Sequence, residues 1–178
     1  DQDGGTVAGE VVAINREFDL SLIAAPVDRA RRILRLSDHP LKEGDPVVLA
    51  GFPGGRFQRD ETTLTGRFCS RHTSTTNWKL YKPDAHCPCP AEFLELLVTK
   101  APAPPGLSGG ALLHRGELAG VVIGRITNVG DTGLVVPGET VRKFIRRNLA
   151  LFHTTTSRPA ARAVTLTPAQ PDRRRASP

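Results

Sequence analysis

Ser108 lies in Pro105-Gly106-Leu107-Ser108-Gly109-Gly110, directly ahead of a small-apolar run that starts at Ala111. This layout suits a nucleophilic hydroxyl. A tight turn exposes the side chain, and neighbours without side chains let a substrate approach closely. Backbone N–H groups beside such a serine can point at an oxyanion as it develops. Gly106 and Ser108 are the candidates to supply them. A glycine-flanked serine is also an ordinary hairpin turn, and taken alone the turn reading comes first. A second residue shifts the balance. Asp19 stands at the mouth of the apolar run Leu20-Ser21-Leu22-Ile23. It is either a solvent-facing acid at a strand start or the carboxylate that orients a catalytic imidazole.

The elements that must position these residues are mostly strands. Alternation and β-branched runs, punctuated by Gly and Pro, predict strands over 6–14, 19–23, 47–50, 62–70 and 93–99. Ala111–His114 and Glu117–Gly124 predict a hairpin across Arg115-Gly116, and Leu134–Val136 a last strand. One helix is predicted, from Val141, Phe144, Ile145 and Leu149 at helical spacing, with Thr140 as its cap. Many short strands and one late amphipathic helix imply an all-β barrel architecture. Two segments differ. Arg71–Pro90 is polar and reads as a long loop or insertion, and 154–178 lacks the apolar residues to order itself.

Composition excludes several classes. With 39% apolar and 24% charged residues, the 178-residue chain is neither collagenous, coiled-coil nor wholly disordered. No apolar stretch approaches the roughly 18 residues of a membrane span. The formal charge of +6 is uneven: 141–150 and 151–178 each carry +4, which leaves −2 on the first 140 residues. A mildly acidic body with a basic helix face and a basic tail argues against nucleic acid as a partner. There is no Met and residue 1 is Asp, so the chain is expected to be processed, trimmed or a fragment.

Several segments, taken in order, resemble the trypsin-like serine proteases, in particular the HtrA/Deg-like branch. Glu10–Ile23, EVVAINREFDLSLI, resembles the strand-turn-strand that carries the catalytic Asp. Pro40–Phe57, PLKEGDPVVLAGFPGGRF, resembles the segment leaving the first barrel, and Thr63–Ser70 the first strand of the second. Glu92–Ile123 resembles the run through the nucleophile into its hairpin, and Gly133–Leu149 the closing strand and terminal helix. Matched residue by residue, Ser108 takes the place of the nucleophile, Asp19 of the triad acid, and Gly106 and Ser108 of the oxyanion-hole donors.

The resemblance implies a double β-barrel with the active site between the barrels and hydrolysis of peptide bonds through an acyl-enzyme. The expected division is 1–58 for the remainder of the N-terminal barrel, 59–150 for the C-terminal barrel with its helix, and 151–178 for a disordered basic tail. Polypeptide is the implied substrate and no cofactor is required. Homo-oligomerisation through a segment before residue 1 and an extracytoplasmic location are expectations from the family alone.

The sequence departs from the pattern in one important respect. The family's order is His, Asp, Ser, yet residues 1–18 hold no His. His39, His72, His86, His114 and His153 all follow Asp19, and His39 and His114 read as surface or loop histidines. The catalytic His is therefore expected upstream of Asp1, and the chain alone is expected to be inactive. The competing reading is a pseudoprotease, a barrel kept as a binding or scaffolding module. Leu107 is a smaller departure, since the family has a polar residue there and the main-chain role survives the change. No acid lies where it would select basic side chains, so apolar substrate residues are expected, with Arg125 disfavouring basic ones.

Cys69-x-x-His72 and His86-Cys87-x-Cys89 bracket the polar insertion. Thiolates and imidazoles at such spacing could hold a structural zinc. A disulfide from Cys69 to Cys87 or Cys89, or three free thiols, accounts for the same residues.

Overall fold

The computed structural model describes residues 7–26, 33–72, 78–83, 89–90, 93–126 and 132–155, with side chains described except at 71–72, 78–81 and 150–155. Alternation builds the strands. Val47 and Leu49 are buried in the barrel core while Val48 between them is half-buried, as a strand with one inward face requires. In chain order the strands are β1 (Glu10–Asn15), β2 (Leu20–Ala24), β3 (Pro46–Gly51), β4 (Gln58–His72), β5 (Trp78–Tyr81), β6 (Leu94–Thr99), β7 (Ala111–His114), β8 (Glu117–Ile126) and β9 (Thr132–Pro137). The helix α1 (Gly138–Thr155) follows directly.

β3, β7, β8, β9, β6 and β4 form an antiparallel ring, closed by the pairing of β4 with β3. The 15-residue β4 makes closure possible. Its first part pairs with β3 and its second with β6, with a register shift between Leu64 and Gly66 where the strand changes partner. Closure pairs every strand of the ring on both sides along at least part of its length. Its interior is filled by Val47, Leu49, Leu64, Leu97, Leu107, Leu112, Val122 and Val135, all nearly inaccessible.

β1 and β2 form a separate two-stranded hairpin. The side-chain oxygen of Asn15 accepts the amides of Glu17 and Phe18 at 3.0 and 3.1 Å and so fixes its turn. The hairpin and α1 share one apolar cluster on the outside of the ring. Leu20, Leu96, Val136, Val141 and Phe144 are its buried members, with Phe18, Leu22, Val121 and Ile123 packed against them. Arg142 on α1 also holds the connection between β2 and β3. It donates to the carbonyls of Leu36 (3.3 Å) and Ser37 (2.8 Å) and pairs with Asp38 (2.6 Å). That connection lies along the start of β8, with Ser37 donating to Leu118 and Leu118 to Arg35. Arg67 on β4 joins Glu95 on β6 to Glu139 in the first turn of α1, at 2.5 and 2.6 Å.

The double-barrel expectation stands as a closed barrel, an N-terminal hairpin and one helix, with four corrections in detail. First, β3 pairs with β4 and β7, so it belongs to the closed barrel and the boundary expected at residue 58 falls inside that ring. Ring closure needs a sixth strand, and β3 is the only chain length on hand beside both neighbours among the described residues. Second, the insertion begins as a hairpin, since β5 pairs with the end of β4 from Cys69↔Tyr81 to His72↔Trp78. Third, α1 starts at Gly138, so Thr140 lies inside the helix and does not cap it. Fourth, α1 continues to Thr155, past the expected start of the tail at 151. Residues 156–178 lie outside the described residues.

Candidate active site

The segment from Pro104 to Gly110 leads into β7 and is tied down by three of its amides. Leu107 donates to Pro104 (3.0 Å), Gly110 to Leu107 (2.8 Å) and Gly109 to Val122 on β8 (2.8 Å). Among the described residues, the amides of Gly106 and Ser108 donate to nothing. The backbone conformation explains the glycines. Gly106 has φ +87°, and a Cβ there would lie 3.3 Å from Pro53 Cα. At Gly110 a Cβ would meet the carbonyl oxygens of Ala50 and Leu107, both at 2.7 Å. Side chains at either position would push the turn off the barrel rim.

Ser108 is exposed, and its Oγ lies 3.4 Å from the carbonyl oxygen of Ile123 on β8. The residue before it points the other way: Leu107 is 1% exposed and belongs to the barrel core. The turn therefore presents Ser108 while being anchored through Leu107. The polar-to-apolar departure noted in the sequence is an anchoring residue in this chain.

Asp19 ends the β1–β2 turn with φ +52°, a left-handed conformation that Asp tolerates better than most residues. Its side chain is exposed, and Leu20 directly after it is buried in the outer cluster. Ile123, whose carbonyl faces Ser108, packs against that same cluster. The hairpin that carries Asp19 therefore packs on the same cluster as Ile123, the β8 residue whose carbonyl faces Ser108. No hydrogen bond joins Asp19 to Ser108 among the described residues.

No histidine described here completes that pair. His39 is exposed and far along the connection to β3. His114 is not a surface residue as expected: it is 6% exposed, and its Nδ1 lies 3.0 Å from the carbonyl oxygen of Pro46. A carbonyl only accepts, so Nδ1 carries the proton and His114 stitches the end of β7 to the start of β3. His86 lies outside the described residues, as do the side chains of His72 and His153.

Cys69 and Cys89 form a disulfide with a Cα–Cα distance of 5.6 Å, within the usual range for such bonds. Of the arrangements open from sequence, the described residues hold this one. A bonded sulfur is not a thiolate, so two of the five residues considered for zinc are engaged while the bond is closed. Cys87 lies outside the described residues. A groove of about 570 Å³ crosses the outer side of β3, β4 and β7 between Phe57 and Arg115, and none of the residues expected to do chemistry lines it.

The described residues thus hold a closed six-stranded antiparallel barrel with an exposed serine on a glycine turn, and a separate hairpin that carries an exposed acid. The model of the trypsin-like peptidase domain family matches residues 1–124, and the chain belongs to that family. Its structure is similar to the Rv3671c protease of M. tuberculosis in its active form, with TM-score 0.62 and 24% identity over 79% of this chain. An inactive form of the same protease gives TM-score 0.59 at 26% identity over 79% of this chain and 66% of that one. The HtrA-type protease AlgW with a decapeptide gives TM-score 0.64 at 18% identity over 84% of this chain. The chain spans 58% of the length of the active Rv3671c protease and 42% of AlgW. No curated protein is significantly similar in sequence. No helix among the described residues is long and apolar enough to cross a membrane.

Proposed function

We propose that this chain is the nucleophile-bearing part of a serine endopeptidase that cleaves polypeptides through an acyl-enzyme on Ser108. One observation carries the reading: Ser108 is exposed on a turn where, among the described residues, the amides of Gly106 and Ser108 are unbonded. Amides bound to other groups would have to be released before they could serve an oxyanion, whereas these are free from the start. Ser108 attacks the carbonyl, the amides of Gly106 and Ser108 stabilise the oxyanion, and water releases the acyl group. Asp19 orients an imidazole that takes the serine proton and returns it to the leaving amine.

That imidazole is supplied from before Asp1. The family order of His, Asp, Ser and the greater length of the similar proteases support this. The Cys69–Cys89 bond suits an oxidising, extracytoplasmic compartment.

A fluorophosphonate probe, which labels only an activated serine, tests the reading on the protein as its host makes it. Labelling that maps to Ser108 and disappears in Ser108→Ala is expected. Absence of labelling in a folded host-made protein would overturn it and leave a binding or scaffolding module.

A further inference from the structure

We propose that Arg125 selects substrates with an acidic side chain at the third residue before the scissile bond. This rests on Ser108 being the nucleophile.

The argument starts at an incomplete edge. On one side β8 is paired with β9 as far as Ile126. On the other, pairing with β7 ends at Ala111↔Val121. Beyond it only Val122 is held, by exchange with Gly109 and Gly110 at 2.8 and 2.9 Å. Among the described residues, Ile123 to Ile126 present an unpartnered edge beside the nucleophile turn. The register shift between Val122 and Gly124 leaves Ile123 as the extra residue, so its carbonyl turns to the same side as that of Val122. In a strand, residues two apart send their backbone groups to the same side. The N–H and C=O of Arg125 therefore share the edge with the Ile123 carbonyl.

An extended peptide adds to such an edge as a further strand. With its scissile carbonyl over Ser108, the residue just before the bond brings its amide to the Ile123 carbonyl, 3.4 Å from Ser108 Oγ. Antiparallel pairing then moves two residues back along the peptide for two residues forward along β8. The third residue before the bond falls opposite Arg125. Opposed side chains share a face, with Cβ atoms about 4.5–5.5 Å apart.

Arg125 is exposed and has no ion-pair partner among the described residues. A guanidinium in that state matches a carboxylate through two parallel hydrogen bonds and repels an ammonium. The expectation from sequence, that Arg125 disfavours basic residues, becomes a positive selection at one defined position.

The test uses peptides that end in a free carboxylate at the residue before the cleavage point, with Glu, Ala or Lys third from that end. Binding to the chain is read by fluorescence anisotropy. Glu is expected to bind about five- to tenfold more tightly than Lys, as for a partly exposed ion pair. The order reverses in Arg125→Glu, and moving Glu one residue along removes the preference. Equal binding of all three, or an order unchanged in Arg125→Glu, overturns the proposal and leaves the Ser108 reading intact. Absence of binding by any peptide to the folded chain also overturns it. Fluorophosphonate labelling then shows separately whether the Ser108 reading falls too.

Discussion

Leu107 Cδ1 lies 2.6 Å from where a Cβ on Gly51 would stand, so the Ser108 turn and the end of β3 interlock without room for one more methyl. The consequence is a tie between core packing and chemistry. Leu107 is held by the barrel interior, and Ser108 is the next residue in the chain.

Gly51→Ala is expected to destabilise the barrel by about 1–3 kcal/mol through overpacking, and Leu107→Ala by about 2–4 kcal/mol through the cavity it leaves. Urea midpoints measure both. Fluorophosphonate labelling of Ser108 should slow in both variants under conditions where each is still folded. Unchanged labelling in a destabilised variant would show that the turn is held by its backbone bonds alone.

His114→Leu removes the donor to the carbonyl of Pro46, a residue that is itself exposed. A loss of about 0.5–1.5 kcal/mol, the net worth of one hydrogen bond, is expected by chemical denaturation. Its labelling at Ser108 should be unaffected once folded, because His114 acts between β7 and β3. A variant as stable as the parent would show that water replaces the imidazole.

Reducing the Cys69–Cys89 bond frees a loop with a sequence separation of 20. Loop-closure entropy gives about 3 kcal/mol for a loop of this size. A matching drop in unfolding free energy under reductant is expected. A Cys69→Ala, Cys89→Ala double variant should start low and ignore the reductant. A shift in that variant too would assign the effect elsewhere.

Glu139 gives the fold a pH dependence of known sign. Partial burial disfavours its charge, but the hydrogen bond and charge of Arg67 outweigh this and hold its carboxyl below the usual range. A carboxyl lowered in the fold contributes stability that is complete above its ordinary pKa and is lost as pH falls through the folded value. Glu139→Gln should therefore cost stability at neutral pH and cost progressively less on acidification below the usual carboxylate range. Because Glu139 is about half exposed, the neutral-pH cost should stay under about 1 kcal/mol. A cost that grew on acidification would contradict the assignment.

Much of this was legible in the chain because it is local. The Ser108 turn is written in consecutive glycines, and Asp19 stands at a visible change from turn to apolar strand. What stayed hidden depends on partners distant in sequence. β3 looks like any short apolar strand, and only its pairing with β7 places it in the ring. The burial of His114 follows from Pro46, 68 residues earlier, and the pairing of Arg67 with Glu139 spans 72. β5 is four residues long, too short for alternation to stand out from the polar insertion around it.

The grip of Arg142 on Leu36, Ser37 and Asp38 has a consequence for synthesis on the ribosome. The connection emerges about a hundred residues before the helix that holds it, so it has no clamp until α1 has been made. β3 likewise waits for β7 before its second edge is covered. The nascent chain must carry both in unprotected form, and the turns of α1 are the ones that lock these earlier segments into place.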